Sequence, residues 1–167
     1  MDSPNTAKLL RTVRIWIAVF IVGLVLSGVT AFPLEHEMAW LASLVAAHPV
    51  FAVSMVAWIH RVHEALWDES IRYPFLAYGT DWLAFAHLVL AVAFIGPLLN
   101  PVRNKWVLQF GLIACAAVPL LALMAGPLRG IPFGWRLIDC SFGIFGAIPL
   151  VIALRCTNLL ERGSDGS

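Results

Sequence analysis

Charged side chains are scarce in this sequence. Only 13% of its 167 residues are Asp, Glu, Lys or Arg, whereas 60% are hydrophobic. A soluble domain carries about 25% charged residues and about 45–50% apolar ones, because its surface faces water. The few charged side chains of this sequence cannot cover the surface of a folded protein in water. Lipid must therefore be the solvent for most of that surface. The composition therefore predicts an integral membrane protein.

Long runs of one charge are also missing. The net charge is +1, and no basic stretch is long enough to neutralise a series of phosphates, so no nucleic-acid partner is expected. The cysteines Cys115, Cys140 and Cys156 have the spacing of neither a metal knuckle nor a disulfide framework. We expect them to pack as small apolar side chains.

The sequence contains none of the common catalytic motifs. G-x-S-x-G, H-E-x-x-H, a P-loop and G-x-G-x-x-G are all missing, and no inverted repeat indicates a transporter. The five histidines do not form the paired boxes of a membrane di-iron oxygenase. Neither a reaction nor a cofactor follows from the sequence.

Long uncharged runs are what the sequence does contain. A bilayer core about 30 Å thick requires about 20 apolar residues in a helix. The only acidic, basic or histidine residues within the runs that meet this requirement are His87 and Asp139. The fold class predicted is an all-α integral membrane protein, in which residues 1–167 form one four-helix transmembrane bundle. The predicted spans are residues 15–32, 82–99, 106–125 and 137–154.

Residues 39–59 form a further apolar run that His48-Pro49 divides. A central proline removes a backbone hydrogen bond from a helix. We therefore interpret residues 33–80 as an interfacial helical excursion, with helices at about 38–47 and 50–68. The alternative is a fifth span over residues 39–59.

The first span is interpreted as a retained anchor. Its apolar run exceeds the 7–15 residues of a signal-peptide core, and Gly23, Ser27 and Ala31 predict a small-residue packing face. The positive-inside rule does not choose between four and five spans, since both divide the basic residues seven to four. Both arrangements predict a cytoplasmic N-terminus in the plasma (inner) membrane.

Two polar segments, residues 60–82 and 126–139, fall on the same side of the membrane in either arrangement. Ionisable groups at membrane depth cost a few kcal/mol and usually face the bundle interior. The sequence therefore predicts a polar pocket at one end of the bundle. Its candidate ligand-binding residues are Asp81, His87, Arg129, Arg136 and Asp139, of which His87 and Asp139 are also candidate catalytic groups.

Structural roles compete with this hypothesis. Arg136 and Asp139 are i, i+3 neighbours and could simply form an ion pair. His87 could hydrogen-bond a backbone carbonyl or Asp139 and so hold helices together. Asp81, which follows Gly79-Thr80, is interpreted as a helix N-cap when it is considered alone.

Histidines also raise the possibility of a metal or haem. His60, His63 and Glu64 share a helical face, but the histidines are three residues apart, whereas H-E-x-x-H sites use four. A solvated polar face is the favoured interpretation, and no metal site is predicted. A b-type haem would need His87 together with His48, His60 or His63.

Two functions are expected from these observations. In the first, the pocket binds an amphiphile such as a lipid or a quinone-like molecule. Its arginines would suit an anionic head group, and Asp139 or His87 would transfer a proton. In the second, the chain is an accessory or scaffold subunit of a larger membrane complex, or assembles as a homo-oligomer.

Overall fold

The computed structural model describes residues 4–48 and 53–165, and within these ranges the chain forms helices and short turns. A 3-10 turn at Pro74–Leu76 precedes the fourth helix. The helices are α1 (Pro4–Ala31), α2 (Leu34–Ala47), α3 (Val53–Arg72), α4 (Ala77–Ala93), α5 (Ile95–Leu99), α6 (Lys105–Leu128) and α7 (Phe133–Asp165).

Among the described residues, four helical segments are long and apolar enough to cross a membrane, which confirms the all-α transmembrane bundle. Each contains or closely overlaps a predicted span, and most continue well past the apolar run. Their bounds are Asn5–Ala31, Pro74–Leu99, Lys105–Leu128 and Phe133–Gly163.

The segment predicted to be an interfacial excursion, residues 33–80, contains two helices close to the predicted ones. Helix α2 ends at Ala47, and the backbone of His48 is extended there. Helix α3 then starts at Val53 and packs back against α2. Pro49 itself lies outside the described residues. Residues 39–59 are therefore not one spanning helix, and α2 and α3 form a helical hairpin between the first and second spans.

The hairpin has its own small core. Met38, Ala42 and Val45 of α2 are buried against Ile59 of α3, and Trp135 at the start of α7 packs on this cluster. Val62 and Leu66, which follow Ile59 at helical spacing, pack there too and form the apolar side of α3. The hairpin thus rests on the bundle beside α7.

A larger core joins the spanning helices. Helix α1 packs against both α4 and α7, and α6 packs against α7. Phe94, at the junction of α4 and α5, is only 2% exposed, and its ring centroid lies 4.6 Å from that of Phe20. The same ring covers Gly111 of α6. Phe94 therefore ties α1, α4 and α6 together at one level of the bundle.

Glycine permits the closest helix crossings. Gly28 of α1 faces the carbonyl of Ala84, from which an added Cβ would lie 2.9 Å. By contrast, an added Cβ at Gly23 would meet nothing within 4 Å. The predicted packing face through Gly23 is therefore wrong. The two glycines are five positions apart, and this spacing turns them to different sides of the helix.

The chain direction defines two ends of the bundle. The hairpin end comprises residues 32–48, 53–81 and 126–139, and the turn end comprises residues 4–14, 100–105 and 155–165. Seven of the eleven basic residues lie at the turn end, and the other four lie at the hairpin end together with seven of the ten carboxylates. The basic residues of the turn end are Lys8, Arg11, Arg14, Arg103, Lys105, Arg155 and Arg162.

Candidate functional site

A half-open cavity of about 440 Å³ lies at the hairpin end. It forms where α1 passes into α2, beside the end of α3 and the start of α4. Its lining combines apolar side chains with carboxylates, hydroxyls and one imidazole. The lining residues are Phe32, Pro33, Leu34, Glu35, His36, Leu66, Glu69, Ser70, Ala77, Thr80 and Asp81.

Three separate helices supply the carboxylates of this cavity. Glu35 lies in the first turn of α2, Glu69 in the last turn of α3, and Asp81 in the second turn of α4. None of the three forms an ion pair within the described parts of the chain. The nearest arginine along α3, Arg72, is instead bound to Asp68 at 2.7 Å. The cavity is therefore lined by three carboxylates that form no ion pair with a lysine or arginine of the described residues.

Local sequence explains why these groups converge. A carboxylate in the first turn of α2 is favoured by the positive end of the helix dipole. Only the four residues 73–76 separate α3 from α4, so the end of one must lie near the start of the other. The apolar wall continues into the hairpin core, where Leu34 and Leu66 also pack. The cavity is thus polar on one side and apolar on the other.

The N-cap role predicted for Asp81 is wrong. Helix α4 begins at Ala77, and Leu76 occupies the capping position without a side-chain hydrogen bond. The proline-led 3-10 turn at residues 74–76 starts helical geometry before Gly79 is reached. Asp81 consequently projects from the second helical turn into the cavity.

His87 lies six residues further along α4, about 9 Å deeper in the bundle. Its Nδ1 is 2.8 Å from the carbonyl oxygen of Leu83. Because a carbonyl oxygen can only accept a hydrogen bond, Nδ1 is the donor. The ring is partly buried and follows the same side of α4 as the buried Ala91 and Phe94. His87 is therefore held by its own helix and not by a neighbouring one.

Asp139 and Arg136 do not form the ion pair that their spacing allows. The guanidinium of Arg136 lies 5.3 Å from the ring centroid of Phe133, and its aliphatic part covers Gly126. Its Nε is buried without a hydrogen-bond partner in the described structure. Asp139 is partly exposed, and Arg129 is exposed at the end of α6.

The five predicted site residues share the hairpin end but not one contact network. No hydrogen bond or ion pair in residues 4–48 and 53–165 joins any two of them. The structure instead brings Asp81 together with Glu35, His36 and Glu69. The candidate site is therefore the cavity, with Asp81 as the predicted residue it contains.

Three ionisable residues of this cavity, Glu35, His36 and Glu69, are not among the predicted site residues. Glu35 and His36 stand in the run Glu35-His36-Glu37, whose ligand-type residues have no fixed distance to any other group in the sequence alone. Glu69 was not singled out. The feature that could have identified Glu69 is the short connection between α3 and α4, which forces the end of α3 close to Asp81.

The histidines considered for metal or haem are spread over the hairpin and α4. His60 and His63 are partly buried, Glu64 is exposed, and Nδ1 of His48 lies 3.0 Å from the carbonyl oxygen of Leu44. Across the described ranges, no three His, Cys, Asp or Glu side chains come together to hold a metal ion. All three cysteines are free thiols, and Cys115 and Cys140 are buried in the bundle as apolar residues would be.

Comparison with known proteins finds no family model, no curated protein and no solved structure that matches this chain.

Proposed function

We propose that the protein binds an amphiphilic small molecule with a cationic head group in the cavity at the hairpin end. The observation that carries this proposal is that Glu35, Glu69 and Asp81, from three helices, line one cavity and form no ion pair within the described residues. An ammonium group would be attracted by all three charges and would form charge-assisted hydrogen bonds with the carboxylates within its reach. It would thereby offset the repulsion among them.

The size and the wall of the cavity support a small organic ligand. Ligand pockets are typically about 300–1,000 Å³, and this one is about 440 Å³. Phe32, Leu34 and Leu66 provide an apolar wall for the rest of the molecule. Exposed aromatic side chains around the start of α4, of the kind found at a membrane interface, would let an amphiphile arrive from the bilayer.

The preferred charge of the head group differs from the expectation based on the arginines. Neither Arg129 nor Arg136 lines the cavity, whereas Asp81 does. An anionic head group would face three carboxylates there, and the cost of that repulsion favours a cation. The proposed ligand class is therefore an amine or a quaternary ammonium attached to an apolar group.

The orientation proposed for the protein places the turn end in the cytoplasm. The seven basic residues at that end support it, since the positive-inside rule counts Lys and Arg near the ends of spans. The cavity would then open on the outer side of the plasma (inner) membrane. An amphiphile in the outer leaflet would reach it without crossing the bilayer.

A binding measurement in uncharged nanodiscs tests the proposal. The probes are octylammonium, 1-octanol and octanoate, which share a chain and differ in head-group charge. Octylammonium should raise the melting temperature of the protein, since a ligand that binds only the folded state stabilises it. Octanol and octanoate should not. Glu35→Gln, Glu69→Gln and Asp81→Asn should each weaken octylammonium binding roughly tenfold or more, as expected for losing a charged hydrogen bond.

Glu37→Gln is the matched control for Glu35→Gln. Glu37 lies in the same helix turn, carries the same charge and is exposed outside the cavity lining. Equal binding of octanol and octylammonium would contradict the proposal, and so would equal losses in Glu35→Gln and Glu37→Gln. Native mass spectrometry after gentle extraction gives a further check. A protein partner seated at the hairpin end would favour the accessory-subunit function instead.

A further inference from the structure

The turn end holds a second concave surface that the proposed ligand site does not use. A groove of about 560 Å³ runs along α1 beside the end of α5. Arg11 and Arg14 line it, together with apolar side chains that include Leu10, Ile15 and Leu98. The groove therefore combines two cations with an apolar floor.

The two faces of α1 explain how this groove arises. Val13 and Ile17 are fully buried in the main core. A different face of α1 remains open. It carries Arg11 and the residues at i+3, i+4 and i+7 from it, which are Arg14, Ile15 and Ala18. Because the face with Val13 and Ile17 is buried in the bundle, the other face forms a continuous exposed strip. The arginines of this strip lie nearer the N-terminus than its apolar residues.

The arginines of the groove have no ion pair in the described part of the chain. The only basic residues there with a carboxylate partner are Arg72, bound to Asp68, and Lys105, bound to Glu161. Arg11 and Arg14 are exposed and directly precede the apolar run that starts at Ile15. Two guanidinium groups without an ion pair in the described residues thus lie beside the start of the apolar run, where we expect lipid phosphates to meet the acyl chains.

We propose that this groove binds one anionic phospholipid of the bilayer. The phosphate would accept hydrogen bonds from Arg11 and Arg14, for which guanidinium geometry is well suited. An acyl chain would lie along Ile15, Ala18 and Leu98. Basic pockets between helices are a known way for membrane proteins to hold anionic lipid head groups. This site is independent of the cavity at the hairpin end, and either proposal can fail without the other.

Native mass spectrometry from nanodiscs of equal phosphatidylglycerol and phosphatidylcholine tests the site. The wild-type protein should retain one phosphatidylglycerol in preference to phosphatidylcholine. The double variant Arg11→Gln/Arg14→Gln should bind it about thirtyfold more weakly, since each basic side chain near an anionic surface contributes about a fivefold gain in affinity. Arg11→Lys/Arg14→Lys should recover most of the binding, because it keeps both charges.

Arg103→Gln/Arg162→Gln is the matched control. It removes two exposed charges from the same end of the bundle but leaves the groove intact. An equal loss of phosphatidylglycerol in this control would overturn the proposal in favour of diffuse attraction to the surface. Displacement of the lipid by 10 mM inorganic phosphate would also overturn it, because the occupant would then be a free anion. If the glutamine variant does not fold, wild-type retention of both lipids in equal amounts would still refute the site.

Discussion

Gly143 of α7 lies directly against the backbone carbonyl of Cys115 in α6, and this contact sets how closely the two helices approach. A Cβ added at Gly143 would overlap that carbonyl and would lie 2.9 Å from Cδ of Pro119. Neither neighbour is the free end of a flexible side chain. The two helices can therefore keep their present separation only with glycine at this position.

We expect Gly143→Ala to lower the free energy of unfolding by about 1–3 kcal/mol, the usual cost of overpacking. Gly23→Ala is the control, since nothing lies within 4 Å of a Cβ there and alanine favours helix by up to about 1 kcal/mol. Unfolding in mixed detergent measures both. Equal effects of the two substitutions would show that helix propensity, and not the crossing of α6 and α7, determines the change in the free energy of unfolding.

Asp139→Asn should stabilise the protein. The carboxylate has no ion pair within residues 4–48 and 53–165 and belongs to a spanning helix, where an unpaired charge costs a few kcal/mol. We expect the free energy of unfolding to rise by about 1 kcal/mol or more. Glu161→Gln is the contrasting variant, because Glu161 accepts a bond from Lys105 at 2.6 Å, and its loss should cost up to about 1 kcal/mol. A destabilised Asp139→Asn protein would instead indicate a structural partner for the carboxylate.

His87→Ala should leave the bundle intact. The one described hydrogen bond of His87 runs to Leu83 in the same helix, so its removal breaks no link between helices. We expect the melting temperature to change by no more than the equivalent of about 1 kcal/mol. The comparison is Phe94→Ala, which removes a ring that is only 2% exposed and should cost about 3 kcal/mol or more. A large loss in His87→Ala would assign the imidazole a tertiary role.

The four-span arrangement makes a labelling prediction that the five-span one reverses. In a cysteine-free background, Glu37→Cys and Arg129→Cys should react with an impermeant maleimide from one side of the membrane, and Arg103→Cys from the other. All three positions are exposed. With five spans, residue 37 would instead be labelled together with residue 103. Sealed vesicles of known orientation, labelled before and after permeabilisation, measure the sidedness directly.

The spanning helices were predictable because their signal is local. Each apolar run is long enough to indicate a span without information from elsewhere in the chain. The residues at which these helices begin and end were harder to predict. Helix α1 continues through Lys8, Arg11 and Arg14, which are good helix formers, and α6 continues through Gly126 and Pro127 to Leu128. Hydropathy marks where lipid contact ends, whereas hydrogen bonding decides where the helix ends.

The cavity was less predictable because it depends on tertiary contacts. Its carboxylates are far apart in sequence, and the distance between Glu35 and Asp81 follows only from how the hairpin folds back. The sequence grouped Asp81 with His87 and the arginines by membrane depth alone. Depth fixes the end of the bundle at which a residue lies, but not the direction in which its side chain points around the helix axis.

The division of the apolar interior into two clusters has an energetic consequence. The cluster around Ile59 and Met38 shares no residue with the one around Phe94, and it meets the bundle through Trp135. Such separate clusters behave as distinct cooperative units in hydrogen exchange. Because the cavity is lined by residues of α2, α3 and α4, a molecule bound in it would couple the opening of the hairpin to that of the fourth helix. Occupancy would slow amide exchange throughout α2 and α3, well beyond the atoms that it touches.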